Sequence, residues 1–373
     1  MDARHLNPPA AERLQQIAQA RRAVLGDGAL LGAPRVETWI ERSWRRCLGL
    51  GLRPDQRIGF DAVSRAAIEQ ARSANQPLIR AATPVIAAMA RTMGDTGYFA
   101  ILTDASGVVI DVNGPVDHAN RLAHLIARVG VDLSERAVGT TAIGTALAEL
   151  QPVWLHRGEH FFDDTSAYSC AGAPLFGPDG RCVGMLDLTG VNVQERPALK
   201  HLVAQSAQQI ENALLLAQPH ALQLRLNWPG HVLGGVTDGL VCLDADGRIT
   251  GANRHAAHML GWSAGAPWPH ADDVFALAHE LLFDAAKGQR PAHEVPLWSG
   301  LRVQLLARLN NGQAHTLNRG AVRPQSVPLK DLEDALIRQA VDEARGNVME
   351  AARRLGISRA TVYRKLQRRK PAG

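Results

Sequence analysis

The residues with the plainest chemistry stand near the C-terminal end of the chain. Ser358, Arg359, Ala360, Thr361, Tyr363 and Arg364 form a small, polar and basic set. At about 100° per helical residue, Ala360, Arg364 and Gln367 point away from the stripe formed by Val362 and Leu366. Such a face suits the major groove of DNA. A small residue lets the backbone approach, and an arginine reaches a guanine edge or a phosphate. Arg354 and Arg368 would sit nearer the phosphates. From Arg345 to Gly373 there are nine Lys and Arg against one acid, Glu350, a local charge of +8; the whole chain carries +5, so the rest is near −3. The basic character is therefore a local patch, as phosphate contacts require.

A second group of residues could bind something smaller. Tyr98, Trp154, Phe161, Tyr168, Cys170 and Asp187 are aromatic or polar groups on or near predicted strands, and they are the candidate ligand residues. His160 and Phe161 are expected to hold a loop over that pocket. His156 and His160 stand four apart with Glu159 between them, but the order HRGEH and Gly158 argue against a zinc helix. No metal site is expected. The four cysteines, Cys47, Cys170, Cys182 and Cys242, are scattered with no CxxC, which disfavours both a disulfide framework and a zinc cluster. Cys170 reads as a small hydrophobe, with redox sensing as the alternative. A haem would need an axial histidine, for which His118, His124 and His156 are unranked candidates; no cofactor is expected. No paired nucleophile and base stands at a defensible spacing.

Several elements must position these groups. The 373 residues suffice for two to four domains, and the composition is that of a soluble globular protein. No run of 18 apolar residues and no apolar leader core occurs, so a cytoplasmic location is expected. Residues 1–75 read as helical, with Trp39 and Trp44 on neighbouring turns and Cys47 in the core. A helix follows from Asn75. Residues 76–218 then alternate short strands with helices: strands at Tyr98–Asp104, Val108–Val112, Pro152–His156, around Cys170–Phe176 and at Cys182–Thr189, with helices at Val116–Val129 and Arg196–Ala217. This is an α+β sandwich. A second small α+β domain is expected over 228–309, with a hairpin at Asp244-Ala245-Asp246-Gly247, a helix opened by Asn253 and another over Asp272–Ala286. Residues 310–328 read as a linker. Residues 329–373 read as an all-α domain: an amphipathic helix at Leu329–Ala344, then a helix-turn-helix. In it Asn347 and Glu350 stand at capping-box spacing, Gly356 makes the turn and Ser358 caps the second helix.

The stretch GNVMEAARRLGISRATVYRKL closely resembles the Fis-type C-terminal domain of bacterial activators, and Leu329–Ala344 matches the helix that in that family helps form the dimer. The run Ser43-Trp44-Arg45-Arg46-Cys47 and the following Gly51-Leu52-Arg53-Pro54 resemble the N-terminal signature of the AcoR/DhaR group of regulators. AVGTTAIGTAL, PVWLHRGEHF, CAGAPLFGPDGR and VGMLDLTG resemble the GAF sensor region of the same group, which usually has Asn at Thr141 and Ala at Gly172. DGLVCLDADGRITGANRHAAHMLGW resembles the start of a PAS domain. Members of that group carry an ATPase module between sensor and Fis-type domains, but no GxxxxGK followed by Ser or Thr occurs here, and 19 linker residues cannot house one.

The expected function is therefore a ligand-responsive, sequence-specific DNA-binding regulator. It would be a homodimer that senses a small effector and reads two half-sites on double-stranded DNA. It would work with RNA polymerase or beside an ATPase-bearing activator, and would not hydrolyse ATP itself. Two alternatives stay open. One is an enzyme of GAF or PAS fold with a DNA-binding tail. The other is an architectural DNA-binding protein whose sensor folds only dimerise.

Overall fold

The strands of this chain alternate apolar residues between two buried faces, and that alternation dictates a sheet covered on both sides. A computed structural model describes residues 8–26, 36–60, 63–93, 96–263, 265–310 and 347–349. The chain divides into Met1–Asn311 and Gly312–Gly373. In the second part, residues 348–349 are helical directly after Asn347. The expected linker beyond Asn310, the Leu329–Ala344 helix and every expected DNA-contacting residue lie outside the described residues.

The first part opens with four helices: α1 (Pro8–Leu25), α2 (Thr38–Gly49), α3 (Arg65–Ala74) and α4 (Gln76–Met93). There follow β1 (Tyr98–Asp104), β2 (Val109–Asn113), the short helices α5 (Arg121–Ile126), α6 (Glu135–Val138) and α7 (Ala142–Glu149), β3 (Val153–His156), β4 (Tyr168–Phe176), β5 (Cys182–Val191) and the long helix α8 (Leu199–Leu216). The five strands form one antiparallel sheet in the order β2-β1-β5-β4-β3. One face packs Tyr98, Ala100, Leu102, Trp154, Leu186 and Leu188 against α4 and α8. The other packs Phe99, Ile101, Leu155, Cys170 and Met185 under α1, α2, α5, α6 and α7.

The N-terminal helices are thus a layer of this sandwich. Ala20, Trp39, Ile40, Trp44 and Cys47 belong to the same buried cluster as Ile101 and Cys170. The Ser-Trp-Arg-Arg-Cys run is the clamp. Ser43 Oγ bonds Thr140 Oγ1 at 2.7 Å, Trp44 Nε1 donates to the Glu159 carbonyl at 2.9 Å, and Arg46 forks onto both Glu135 oxygens at 2.8 Å while reaching Glu149 at 2.6 Å. Two carboxylates around one guanidinium raise the Arg46 pKa, and Arg42 together with Arg46 holds Glu149 below the usual carboxylate range.

A second sheet follows: β6 (Leu222–Asn227), β7 (Gly239–Leu243), β8 (Ile249–Ala252), helices α9 (Arg254–Met259), α10 (Ala271–Val274) and α11 (His279–Lys287), then β9 (His293–Pro296) and β10 (Arg302–Leu309), in the order β8-β7-β6-β10-β9. Its central strand β6 lies ahead of residue 228, where this domain was expected to begin. Helix α8 serves both sheets: Ile210 and Leu214 face the first, while Asn212 accepts from Asn253 Nδ2 at 2.9 Å and Gln208 meets His255 at 2.6 Å. The β4–β5 turn joins them too, the Pro178 carbonyl accepting from Ala252 N–H at 3.3 Å.

Two expected helices are shorter than their sequence patterns. The Val116–Val129 pattern folds as Arg121–Ile126, begun by the Asn120 cap, and the chain turns at Gly130 with φ +89°. The Asp272–Ala286 pattern breaks into α10 and α11, because Phe275 is extended, buried and bridged to Leu297. Among the described residues no helix is long and apolar enough to cross a membrane.

Candidate effector site

Between the first sheet and its N-terminal layer lies a cavity of about 30 Å³. Space of that kind admits one water per roughly 10–15 Å³, so the cavity as folded suits a molecule of only a few heavy atoms. Its walls are mostly apolar: Phe60, Ile101, Ile126, Leu133, Val138, Ala142 and Ile143. Against this background β4, β5 and the loop after β3 place several polar groups, four of them linked to one another. Asp187 and Thr189 point inward from β5, Cys170 from β4, and His160 from the loop.

The four form a chain. His160 Nε2 lies 3.4 Å from Cys170 Sγ, the Thr189 hydroxyl lies 3.3 Å from the same sulfur, and Thr189 also donates to Asp187 Oδ2. Asp187 Oδ1 is buried with no hydrogen-bond partner. Burial pushes the Asp187 carboxyl up to about 7, only partly opposed by the Thr189 bond. It drives the His160 imidazole down to about 4 and the Cys170 thiol well up. The cavity therefore presents a neutral imidazole, a thiol and a carboxyl poised between its neutral and charged forms. Among the described residues no Lys or Arg lines it.

The wall is braced from outside. Arg21 on α1 donates to the carbonyls of Gly158 at 3.2 Å and Phe161 at 3.0 Å, to that of His160, and to Asp163 at 2.7 Å. Arg13 pairs with Glu159, whose carboxylate also accepts from His156 N–H at 2.8 Å. Thr141 caps α7, accepting from Gly144 N–H at 3.2 Å, and lines the cavity. Gly172 sits opposite Asp187 in the ladder, and a Cβ there would lie 3.1 Å from the Ala142 carbonyl and collide with Met185 Cε. An outer cleft with Arg57, Arg121 and Asp164 shares Phe60, Thr165 and Tyr168 with the cavity, so these three side chains stand between the two.

Of the six candidate ligand residues, Tyr168, Cys170 and Asp187 meet at this cavity. Tyr98 and Trp154 do not. Both occupy the opposite strand parity and are buried on the α4–α8 face. Phe161 packs edge-on against Phe162 beside the cavity. Thr189 and His160 complete the polar chain; two-residue alternation from Asp187 would have found Thr189. His156 turns away from His160 to bond Ser169 Oγ at 2.7 Å, and neither it, His118 nor His124 lines the cavity.

Residues 14–212 match the family described as MimR, N-terminal domain, more than half of the 373-residue chain. The chain belongs to this family. Residues 231–293 match a PAS domain and residues 328–368 match the bacterial regulatory protein, Fis family. Only residues 294–327 lie between those matches, too few for an ATPase module. Among curated relatives, the acetoin catabolism regulatory protein of Cupriavidus necator is 30% identical over 281 residues, covering 74% of this chain and 42% of that protein. The propane 2-monooxygenase operon transcriptional activator MimR of Mycolicibacterium smegmatis is 31% identical over 198 residues, covering 52% and 33%. This chain thus spans less than half the length of either. Among solved structures, the E. coli DhaR(N)–DhaL complex aligns with 73% of this chain and 99% of its own, at 18% identity and a TM-score of 0.45. These family members are named transcriptional regulators, and this chain combines the same sensor-type N-terminal domain with a PAS domain and a Fis-type helix-turn-helix.

Proposed function

We propose that this protein is an effector-responsive, DNA-binding transcriptional regulator. The observation that carries the reading is the presence, in one chain, of a Fis-family match over 328–368 and a MimR-type domain with a mostly apolar cavity that carries a short chain of polar groups. Ser358, Arg359, Ala360, Thr361, Tyr363 and Arg364 face the major groove, with Arg354 and Arg368 on phosphates. A homodimer reads two half-sites one helical turn apart, and effector binding alters the relative pose of the two readers. The effector is small, is not an anion, and offers a hydrogen-bonding group to Asp187. This follows from a cavity that holds few atoms and no cation, yet leaves Asp187 Oδ1 unpaired. Transcription is changed by direct contact with polymerase or beside an ATPase-bearing activator.

Footprinting on the DNA flanking the gene tests this, with the full chain and a chain ending at Pro328. Two phased protected half-sites with the full chain alone are expected. Equal protection by the shortened chain, or none at low salt, would remove the assignment. Arg364→Ala should cost roughly 1–3 kcal/mol at one base position; a uniform loss over all sequences would reassign Arg364 to phosphate contact.

A further inference from the structure

We propose that His270, Asp272 and His279 bind a divalent transition-metal ion of the zinc class, with water completing its coordination. The three residues offer donor atoms that all lie within 4.8 Å of one another. Asp272 Oδ2 is 3.4 Å from His270 Nδ1, His279 Nδ1 is 3.3 Å from the Asp272 carboxylate, and Glu280 Oε2 is 3.4 Å from His279 Nδ1. Ligands about 2.0–2.1 Å from a tetrahedral zinc ion stand roughly 3.3–3.4 Å from each other. The His270–Asp272 and Asp272–His279 separations therefore already match two edges of a coordination tetrahedron.

The surroundings orient the ligands as a metal site requires. His270 Nε2 donates to the Asp246 carbonyl at 2.7 Å, which fixes the tautomer and leaves the Nδ1 lone pair facing the cluster. Asp272 Oδ1 accepts the His279 backbone N–H at 2.6 Å, which fixes the carboxylate. The Asp244–Gly247 turn seats both rings: its Asp246 carbonyl holds His270, and Gly247, at φ +81°, leaves the space that the His279 ring occupies, where a Cβ would collide with it. The bond an arriving ion must displace is a long one, Asp272 N–H to His270 Nδ1 at 3.2 Å. Two imidazoles and a carboxylate select zinc, cobalt or nickel over magnesium and calcium, which prefer all-oxygen shells. The bound ion would pin the β7–β8 turn to α10 and α11.

The test uses the full chain, untagged and stripped with a chelator, titrated with Zn²⁺ by calorimetry and with Co²⁺ by visible absorption. One equivalent is expected, with the d–d bands of a low-coordinate cobalt site and a raised melting temperature with zinc. His279→Ala and Asp272→Asn should each weaken binding by at least about 10-fold. His270→Asn keeps a helix-capping side chain while removing the imidazole, so it separates lost ligation from lost folding. His231→Gln, an exposed histidine elsewhere in the domain, should change nothing. No uptake by the parent chain, or the same affinity in His270→Asn as in the parent, would leave the cluster as a helix cap and an ion pair.

Discussion

Replacing Asp187 by Asn should remove one defined part of the pH dependence expected of the N-terminal domain's stability. Asp187 is fully buried and its carboxyl sits at about 7 instead of 3.8. Its folded pKa is raised, so the folded state holds its proton more tightly. Stability is then highest below the unfolded pKa and falls as pH rises through the window between the two values. The full difference is about 4 kcal/mol from those pKa values. Between about pH 5 and pH 8 the expected loss is some 2–3 kcal/mol. Asparagine is nearly isosteric and can accept the Thr189 hydroxyl bond, but it does not ionise. Urea unfolding at the two pH values, for wild type and Asp187→Asn, reads the difference directly. Glu159 and Glu211, also raised to about 7 by burial, contribute equally to both proteins and cancel. Parallel stability losses in the two proteins would refute the claim that Asp187 is buried without a charge partner.

Three further outcomes follow. Arg21→Ala leaves the carbonyls of Gly158, His160 and Phe161 without their donor and should cost about 2–3 kcal/mol, with faster hydrogen exchange confined to the 157–163 loop. Gly172→Ala should destabilise by about 1–3 kcal/mol by crowding Met185 and Ala142; a melting temperature equal to that of wild type would show that Met185 moves aside freely. Arg46→Ala strips the shared cation from Glu135 and Glu149 and should cost about 2 kcal/mol, with the loss shrinking as pH falls and Glu149 is protonated.

Much of the fold was legible because local signals and tertiary packing agree. The strand Tyr98–Asp104, the Asp244–Gly247 hairpin turn and the Asn253 cap stand where turn chemistry and alternation put them. The central strand β6 was missed although Leu222, Leu224 and Leu226 alternate, because Pro219 reads as a break and six residues carry little periodicity. The cavity's side of the sheet was not legible at all. Helices cover both faces, so Tyr98 and Asp187 look equally buried, and parity cannot say which face keeps a void. The His270–Asp272–His279 cluster was hidden for a different reason. Its members open two separate short helices, and only the extended Phe275 between them folds the second back on the first.

The Ser43–Cys47 clamp has a practical consequence for dividing this protein into pieces. A cut near residue 76, where strands begin to alternate with helices, would strip Trp39, Ile40 and Trp44 from the face they cover. It would also leave Glu135, Glu149 and Glu159 without the arginines that neutralise them. Such a fragment would expose apolar surface and self-repelling carboxylates together, and it would aggregate whatever its effector. The smallest piece of the sensor that can be handled alone therefore starts ahead of Arg13.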